Sequence, residues 1–157
     1  MGKNILIFGL PNSGKTTFAK QLIKDKQVAY FNADEIRTIF NDWDFTESGR
    51  IRQAQRMIGL TAYAFGDCVV DFVCPFNEWR YDYDITIWIN TINKGRFEDT
   101  NKIFEKPDKV DYEITDYNYT DILQKIRNEL ERRGESISAE QIQTHLSAPL
   151  NQTAAAG

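Results

Sequence analysis

Nine residues near the start of the chain could do phosphate chemistry: Gly9, Leu10, Pro11, Asn12, Ser13, Gly14, Lys15, Thr16 and Thr17. Their spacing is that of a phosphate-binding loop, G-x-x-x-x-G-K-T. In such a loop glycines let backbone N–H groups turn inward around a phosphate chain, a lysine reaches the outer phosphates and a hydroxyl holds Mg²⁺. The apolar run Ile5, Leu6, Ile7, Phe8 before it reads as a buried strand, and Phe18, Leu22 and Ile23 after it recur at helical spacing. A strand feeding a helix whose positive N-terminal end faces the anion is what the site requires. A nucleoside triphosphate and Mg²⁺ are therefore the expected ligands, held by Gly9 and residues 12–17, with Lys15 on the phosphates and Thr16 on the metal. A chance match with no nucleotide role is disfavoured by the strand and helix both being in place.

Asp34 follows a second strand, residues 27–31, at what would be its C-terminal end, and in an open parallel sheet that end faces the ligand crevice. It is the expected catalytic carboxylate and a second metal contact. Its type and position also suit an N-cap for a helix over residues 35–40, and one residue can do both. Arg50, Arg52 and Arg56 lie along the polar side of a longer helix. Arg52 and Arg56, spaced i, i+4, can grip a phosphate or sulfate by forked hydrogen bonds, or form an ordinary solvated face. Asp71 sits in the apolar run 68–74 as a metal-anchoring acid would. Three strand-like residues follow it, however, which places it low in the strand and below Asp34 in rank. Residues 93–108, polar and mixed in charge, read either as a cationic lid over transferring phosphates or as a solvated helix.

The elements that must position these residues follow from periodicity. Thr46 is the expected N-cap of a helix reaching residue 65, with Ile51, Ala54, Met57, Ile58, Thr61, Ala62 and Phe65 as its buried stripe. Residues 68–74 form a third strand covered on both faces, residues 85–89 a fourth, and residues 112–115 a last one. Thr120 caps a final helix with Ile122, Leu123, Ile126 and Leu130 inward, Glu129 and Arg133 paired outward and Gly134 as its stop. This alternation implies a three-layer α/β fold, a P-loop NTPase fold with a parallel sheet of four or five strands. The domain is expected over residues 1–134, followed by a polar, flexible tail over 135–157.

With 157 residues the chain can bury about two thirds of its unfolded surface as one domain. A net charge of −4 argues against partners held by bulk electrostatics, nucleic acid or anionic membrane, although a local basic cleft can hide inside an acidic total. No apolar run is long enough to span a bilayer, and residues 1–4 lead straight into a strand rather than a signal segment, so a cytoplasmic location is expected. Cys68 and Cys74 are read as reduced core residues. His145 has no acidic or cysteine cluster around it, which argues against a metal or catalytic role.

The succession GLPNSGKTT, NADEIR, FTESGRIRQAQR and CPFNEWR resembles adenylylsulfate kinase and its close relatives over residues 3–104. Those enzymes carry GLSGSGKTT, a DGDNVR-like segment, an arginine-bearing helix and an S-P-Y-R-E-x-R-like turn. The resemblance implies transfer of the γ-phosphate of ATP to the 3′-hydroxyl of adenylyl sulfate with Mg²⁺, and often a homodimer. Position by position it implies that Asp34 activates the hydroxyl and that Arg37 contacts the acceptor. Phe45 would stack on the acceptor base, and Arg50, Gln53, Arg56 and Pro75 would complete its site. Glu98 stands where the family's lid has an arginine, leaving Arg96 or Lys102 to supply that charge. The family's second stacking loop is not retained, Phe104 or Tyr112 being the available substitutes, and Asn32-Ala33 replaces the D-G of D-G-D. The expected function is thus an ATP-dependent kinase acting on a small anionic, adenylyl-containing acceptor. The alternatives are a same-fold kinase acting on another nucleotide, a modified base, a nucleic-acid end or a small alcohol, or a non-catalytic nucleotide-binding module.

Overall fold

The computed structural model describes residues 2–132, and the chain divides into two compact units, residues 1–119 and 120–157. In the second unit residues 120–132 are helical. Arg133, Gly134, the expected boundary and the tail with His145 lie outside the described residues.

The first unit is built on five strands: β1 (Asn4–Phe8), β2 (Ala29–Asn32), β3 (Cys68–Asp71), β4 (Ile85–Ile89) and β5 (Tyr112–Ile114). They lie in the order β2-β3-β1-β4-β5 and every neighbouring pair is parallel. The helices α1 (Lys15–Leu22), α2 (Ala33–Phe40), α3 (Glu47–Thr61), α4 (Asn77–Arg80) and α5 (Glu98–Ile103) make the crossovers that parallel pairing demands. Ile5, Leu6, Ile7 and Phe8 of β1 are fully buried, as are Cys68, Val69 and Val70 of β3, because these central strands are covered on both faces. On one face Leu6, Phe8 and Val70 meet Ile36 of α2 and Ala54 and Met57 of α3. Phe18, Ala19 and Leu22 bury α1, which packs against β1 and β3. Each such large side chain contributes about 1.5–3 kcal/mol.

Three expectations are corrected. Strand β3 ends at Asp71 rather than at residue 74, because the chain turns away there and Cys74 takes a left-handed backbone at φ 46°. Helix α2 begins at Ala33, and its N-cap is Asn32, whose side chain accepts from Glu35 N–H, so Asp34 is not the cap. Helix α3 does start after Thr46 but ends at Thr61. Its buried stripe is Gly49, Gln53, Ala54, Met57 and Thr61. Ile51, about 200° around the helix from Gln53, is exposed, as are Ala62 and Phe65.

The turn after β3 is held by a buried cation. Arg80, only 3% exposed, donates Nε to the carbonyl of Cys74 at 2.9 Å, Nη2 to that of Pro75 at 3.1 Å and Nη1 to Asn77 Oδ1 at 2.9 Å. Its guanidinium lies 4.4 Å from the centroid of Phe8 and 4.8 Å from that of Phe104. Phe104 therefore belongs to the core. Both cysteines are free and buried, and burial pushes the Cys68 thiol up to about 11 and Cys74 higher still, so they remain inert thiols. Replacing Arg80 by Ala should cost about 3 kcal/mol of stability, since two buried carbonyls lose their donors; urea unfolding of the two chains measures it.

Candidate functional site

The loop after β1 owes its shape to its glycines. A Cβ on Gly9 would stand 2.5 Å from the carbonyl oxygen of Ile89, so only glycine lets the chain pass the end of β4. Gly14 adopts φ 101° and sits at the N-cap of α1 without any side-chain cap, which leaves the first N–H groups of the helix to an anion. Asn12 takes φ 66°. The Lys15 ammonium donates to the Leu10 carbonyl at 3.0 Å. Burial pushes its pKa down, opposed by Asp71 and then by Asp34.

Beside the loop, one carboxylate oxygen collects three hydrogen bonds. Asp71 Oδ2 accepts from Thr16 Oγ1 at 2.9 Å, from the Tyr30 hydroxyl at 2.7 Å and from Asn32 Nδ2 at 3.1 Å. Burial, and then the bond to Asp71, pushes the Tyr30 phenol above its usual range, so it stays a donor. Asp71 is therefore the carboxylate joined to Thr16, where Asp34 was expected. The signal in the sequence was Pro75, which with Cys74 ends the extended run early and leaves Asp71 at the strand's C-terminal edge. The donor set suits Mg²⁺: one hydroxyl and one carboxylate, both hard oxygens, with no cluster of three His, Cys, Asp or Glu among the described residues. A hexacoordinate ion held by so few protein ligands takes the rest from phosphates and water.

Of these residues Lys15, Thr16, Asn32 and Asp71 line a cavity of about 1160 Å³. It is lined by Asn12, Gly14, Lys15, Thr16 and Thr17 of the loop, by Asp34, Arg37, Phe45, Arg50, Gln53 and Pro75, and by Arg96. Gly9, Ser13, Arg56 and Lys102 are not among its lining residues. A pocket this large exceeds the usual range for one small ligand and has room for two side by side.

Another stretch of the cavity wall comes from the corner between α2 and α3. Arg37, buried, donates Nη1 to the Asp42 carbonyl at 2.9 Å, and its guanidinium covers the Phe45 ring at 4.3 Å. Arg50 donates Nε to the Phe45 carbonyl at 2.8 Å. Gln53 donates to the Ala33 carbonyl at 3.1 Å, tying α3 to the start of α2. Arg52 and Arg56 do share a face, but the anion they grip is Asp42: Arg52 Nε lies 2.7 Å and Arg56 Nη2 3.0 Å from Asp42 Oδ2. Arg56 also lies 4.3 Å over the Phe40 ring, away from the cavity. Trp43, half-exposed and 6.5 Å from Phe45, joins the lining, which sequence reasoning did not single out. Tyr112 is part of β5.

In the segment 93–108 only residues 98–103 form a helix, α5. Asn101 clasps Gly95, accepting from its N–H at 2.8 Å and donating to its carbonyl at 2.7 Å. A Cβ on Gly95 would stand 3.5 Å from Pro11 and 3.6 Å from Leu10, so this part of the segment runs beside the phosphate loop. Lys102 is exposed.

With this geometry in view, solved structures can be compared. The APS kinase of Mycobacterium tuberculosis superposes with a TM-score of 0.62 at 19% identity, covering 83% of this chain and 98% of that one. Kti12 of Chaetomium thermophilum in complex with ADP-AlF3 gives 0.60 at 12% identity, over 82% and 97%. A shikimate kinase from Acinetobacter baumannii in complex with shikimate gives 0.52 at 13% identity, over 89% and 95%. The fold is that of the P-loop kinases. No protein-family model matches the sequence, and no curated protein matches it. Among the described residues no helix is long and apolar enough to cross a membrane.

The charge cluster at the corner between α2 and α3 has a consequence for acid stability. Hydrogen bonds from Arg52 and then Arg56 hold the Asp42 carboxyl well below the usual range. Because its folded pKa lies below the unfolded value of about 3.9, its contribution is present above about pH 4 and is lost as pH falls below that. In Asp42→Asn the decline of the urea midpoint between about pH 4 and 2 should be shallower than in the unsubstituted chain.

Proposed function

We propose that the protein is a kinase that transfers the γ-phosphate of ATP to a hydroxyl of a small anionic acceptor containing an adenylyl group, and that it works in the cytoplasm. The observation that carries this reading is the cavity itself. Lys15, Thr16, Asp71, Arg37, Arg50 and Asp34 all line that one space.

The chemistry follows from what each residue can do. The uncapped N–H groups at the start of α1 receive phosphate oxygens, and Lys15 exchanges the Leu10 carbonyl for the outer phosphates. Thr16 and Asp71 would hold Mg²⁺, which when bound neutralises charge on the phosphate oxygens. Asp34 is free to accept a proton from the acceptor hydroxyl, since the capping role belongs to Asn32. Arg37 and Arg50 hold the acceptor's anionic group, while Arg96 adds positive charge from the lid segment. Such catalysis is positioning and electrostatic stabilisation more than covalent work. The similarity to an APS kinase supports the adenylyl acceptor, as do Phe45, Arg37 and Arg50 in the cavity wall.

A second reading, a same-fold kinase with another hydroxyl acceptor, is favoured by the aromatic residues. Phe104 and Tyr112 do not reach the cavity, and Trp43 does. The aromatic surface offered to the acceptor is then this chain's own.

Two measurements test the assignment. In Lys15→Ala, ATP-dependent phosphorylation should vanish; unchanged turnover would exclude the donor site. Asp34→Asn should lower kcat by about 10²-fold or more and leave ATP affinity within a few-fold, whereas a loss confined to affinity would make Asp34 a binding contact. ADP release with adenylyl sulfate, with other nucleotides and with no acceptor separates the two kinase readings from a non-catalytic module.

A further inference from the structure

The hydrogen bonds around Asp71 have only one self-consistent polarity. Asn32 Oδ1 accepts the backbone N–H of Glu35 at 3.0 Å, and a backbone N–H can only donate. That bond fixes the side-chain amide, so Nδ2 must be the end that reaches Thr16 Oγ1 and Asp71 Oδ2, both at 3.1 Å. Thr16, receiving a proton from Asn32, spends its own on Asp71 at 2.9 Å. The threonine oxygen is left with one further lone pair, which is what a metal ligand needs. The Tyr30 phenol, from the neighbouring strand, is the third donor to the same Asp71 oxygen, at 2.7 Å. Among the described residues no hydrogen bond falls on Asp71 Oδ1.

We infer that Tyr30 and Asn32 are positioning residues that orient the Asp71 carboxylate and the Thr16 hydroxyl toward a divalent cation entering with the nucleotide. This rests on the kinase reading above and deepens it. Tyr30 donates to the acid at 2.7 Å and also sits against Thr16 and Asn32. Asn32 acts on both ligands and, by capping α2, also ties them to the helix that carries Asp34 and Arg37. Outer partners of this kind fix a ligand's orientation and alter metal affinity by about 10–100-fold when removed. The phenol is the cleaner one to test, because removing its oxygen leaves the ring and the α2 cap in place.

The test follows binding of a fluorescent ATP analogue to the full chain while Mg²⁺ is titrated, and repeats it in EDTA. For Tyr30→Phe the Mg²⁺ concentration at half-saturation should rise about tenfold, while metal-free nucleotide affinity and the melting temperature stay close to those of the unsubstituted chain. In an Asp71→Asn background the same substitution should leave the Mg²⁺ midpoint unchanged, since the carboxylate it orients is gone. An unaltered midpoint in the single variant, or an equal loss of affinity with and without metal, overturns the positioning role and leaves the kinase reading standing. Failure of the unsubstituted chain to bind the nucleotide at all overturns both.

Discussion

The donor end of the site depends on one carboxylate oxygen. Asp71 Oδ2 joins the end of β3 to α1 through Thr16 and to β2 through Tyr30 and Asn32. A buried carboxylate is costly unless its lone pairs are met, and three donors on one oxygen meet that need while fixing its direction. The parallel register supplies the contact: Asp71 pairs with Ile7 on one side and Asn32 on the other, so the acid stands between the strand that leads into the phosphate loop and the strand that leads into α2.

The corner between α2 and α3 shows how a basic helix can present only part of its charge. Asp42 takes two of the three α3 arginines, Arg52 and Arg56, and leaves Arg50 and the α2 residue Arg37 at the cavity. The carbonyl oxygens of Asp42, Asp44 and Phe45 hold these last two without neutralising them, because a carbonyl is a dipole and not a counter-charge. Both guanidinium groups lie over the Phe45 ring, Arg37 at 4.3 Å and Arg50 at 5.7 Å from its centroid.

The turn carrying Pro75 is held by a buried cation whose hydrogen-bond acceptors are neutral groups. Arg80 is satisfied by two main-chain carbonyls, an amide oxygen and two aromatic faces, and this holds the turn carrying Pro75 against the cavity. Asn77 extends the hold, accepting the N–H of Asp108 through the same oxygen and donating to the Lys106 carbonyl, so the end of the segment 93–108 is tied to α4. At the other end of that segment, the Asn101 clasp on Gly95 does the same against the loop.

The sequence by itself determined the donor loop and the order of the elements, because glycine spacing, a lysine followed by hydroxyls, and apolar periodicity are local properties of the chain. It also marked Thr46 as the N-cap of α3, which it is. What only the tertiary structure decided were the pairings between distant segments. Asp71 is joined to Thr16, fifty-five residues away, and Arg56 is turned to Asp42, fourteen residues before it. Asn32 displaced Asp34 as the cap through a bond only three residues long, yet either residue type satisfies that local rule. Only the path of the backbone after β2 settles which one does. A carboxylate or guanidinium looks alike in every sequence; its role is set by the charge that the fold brings opposite it.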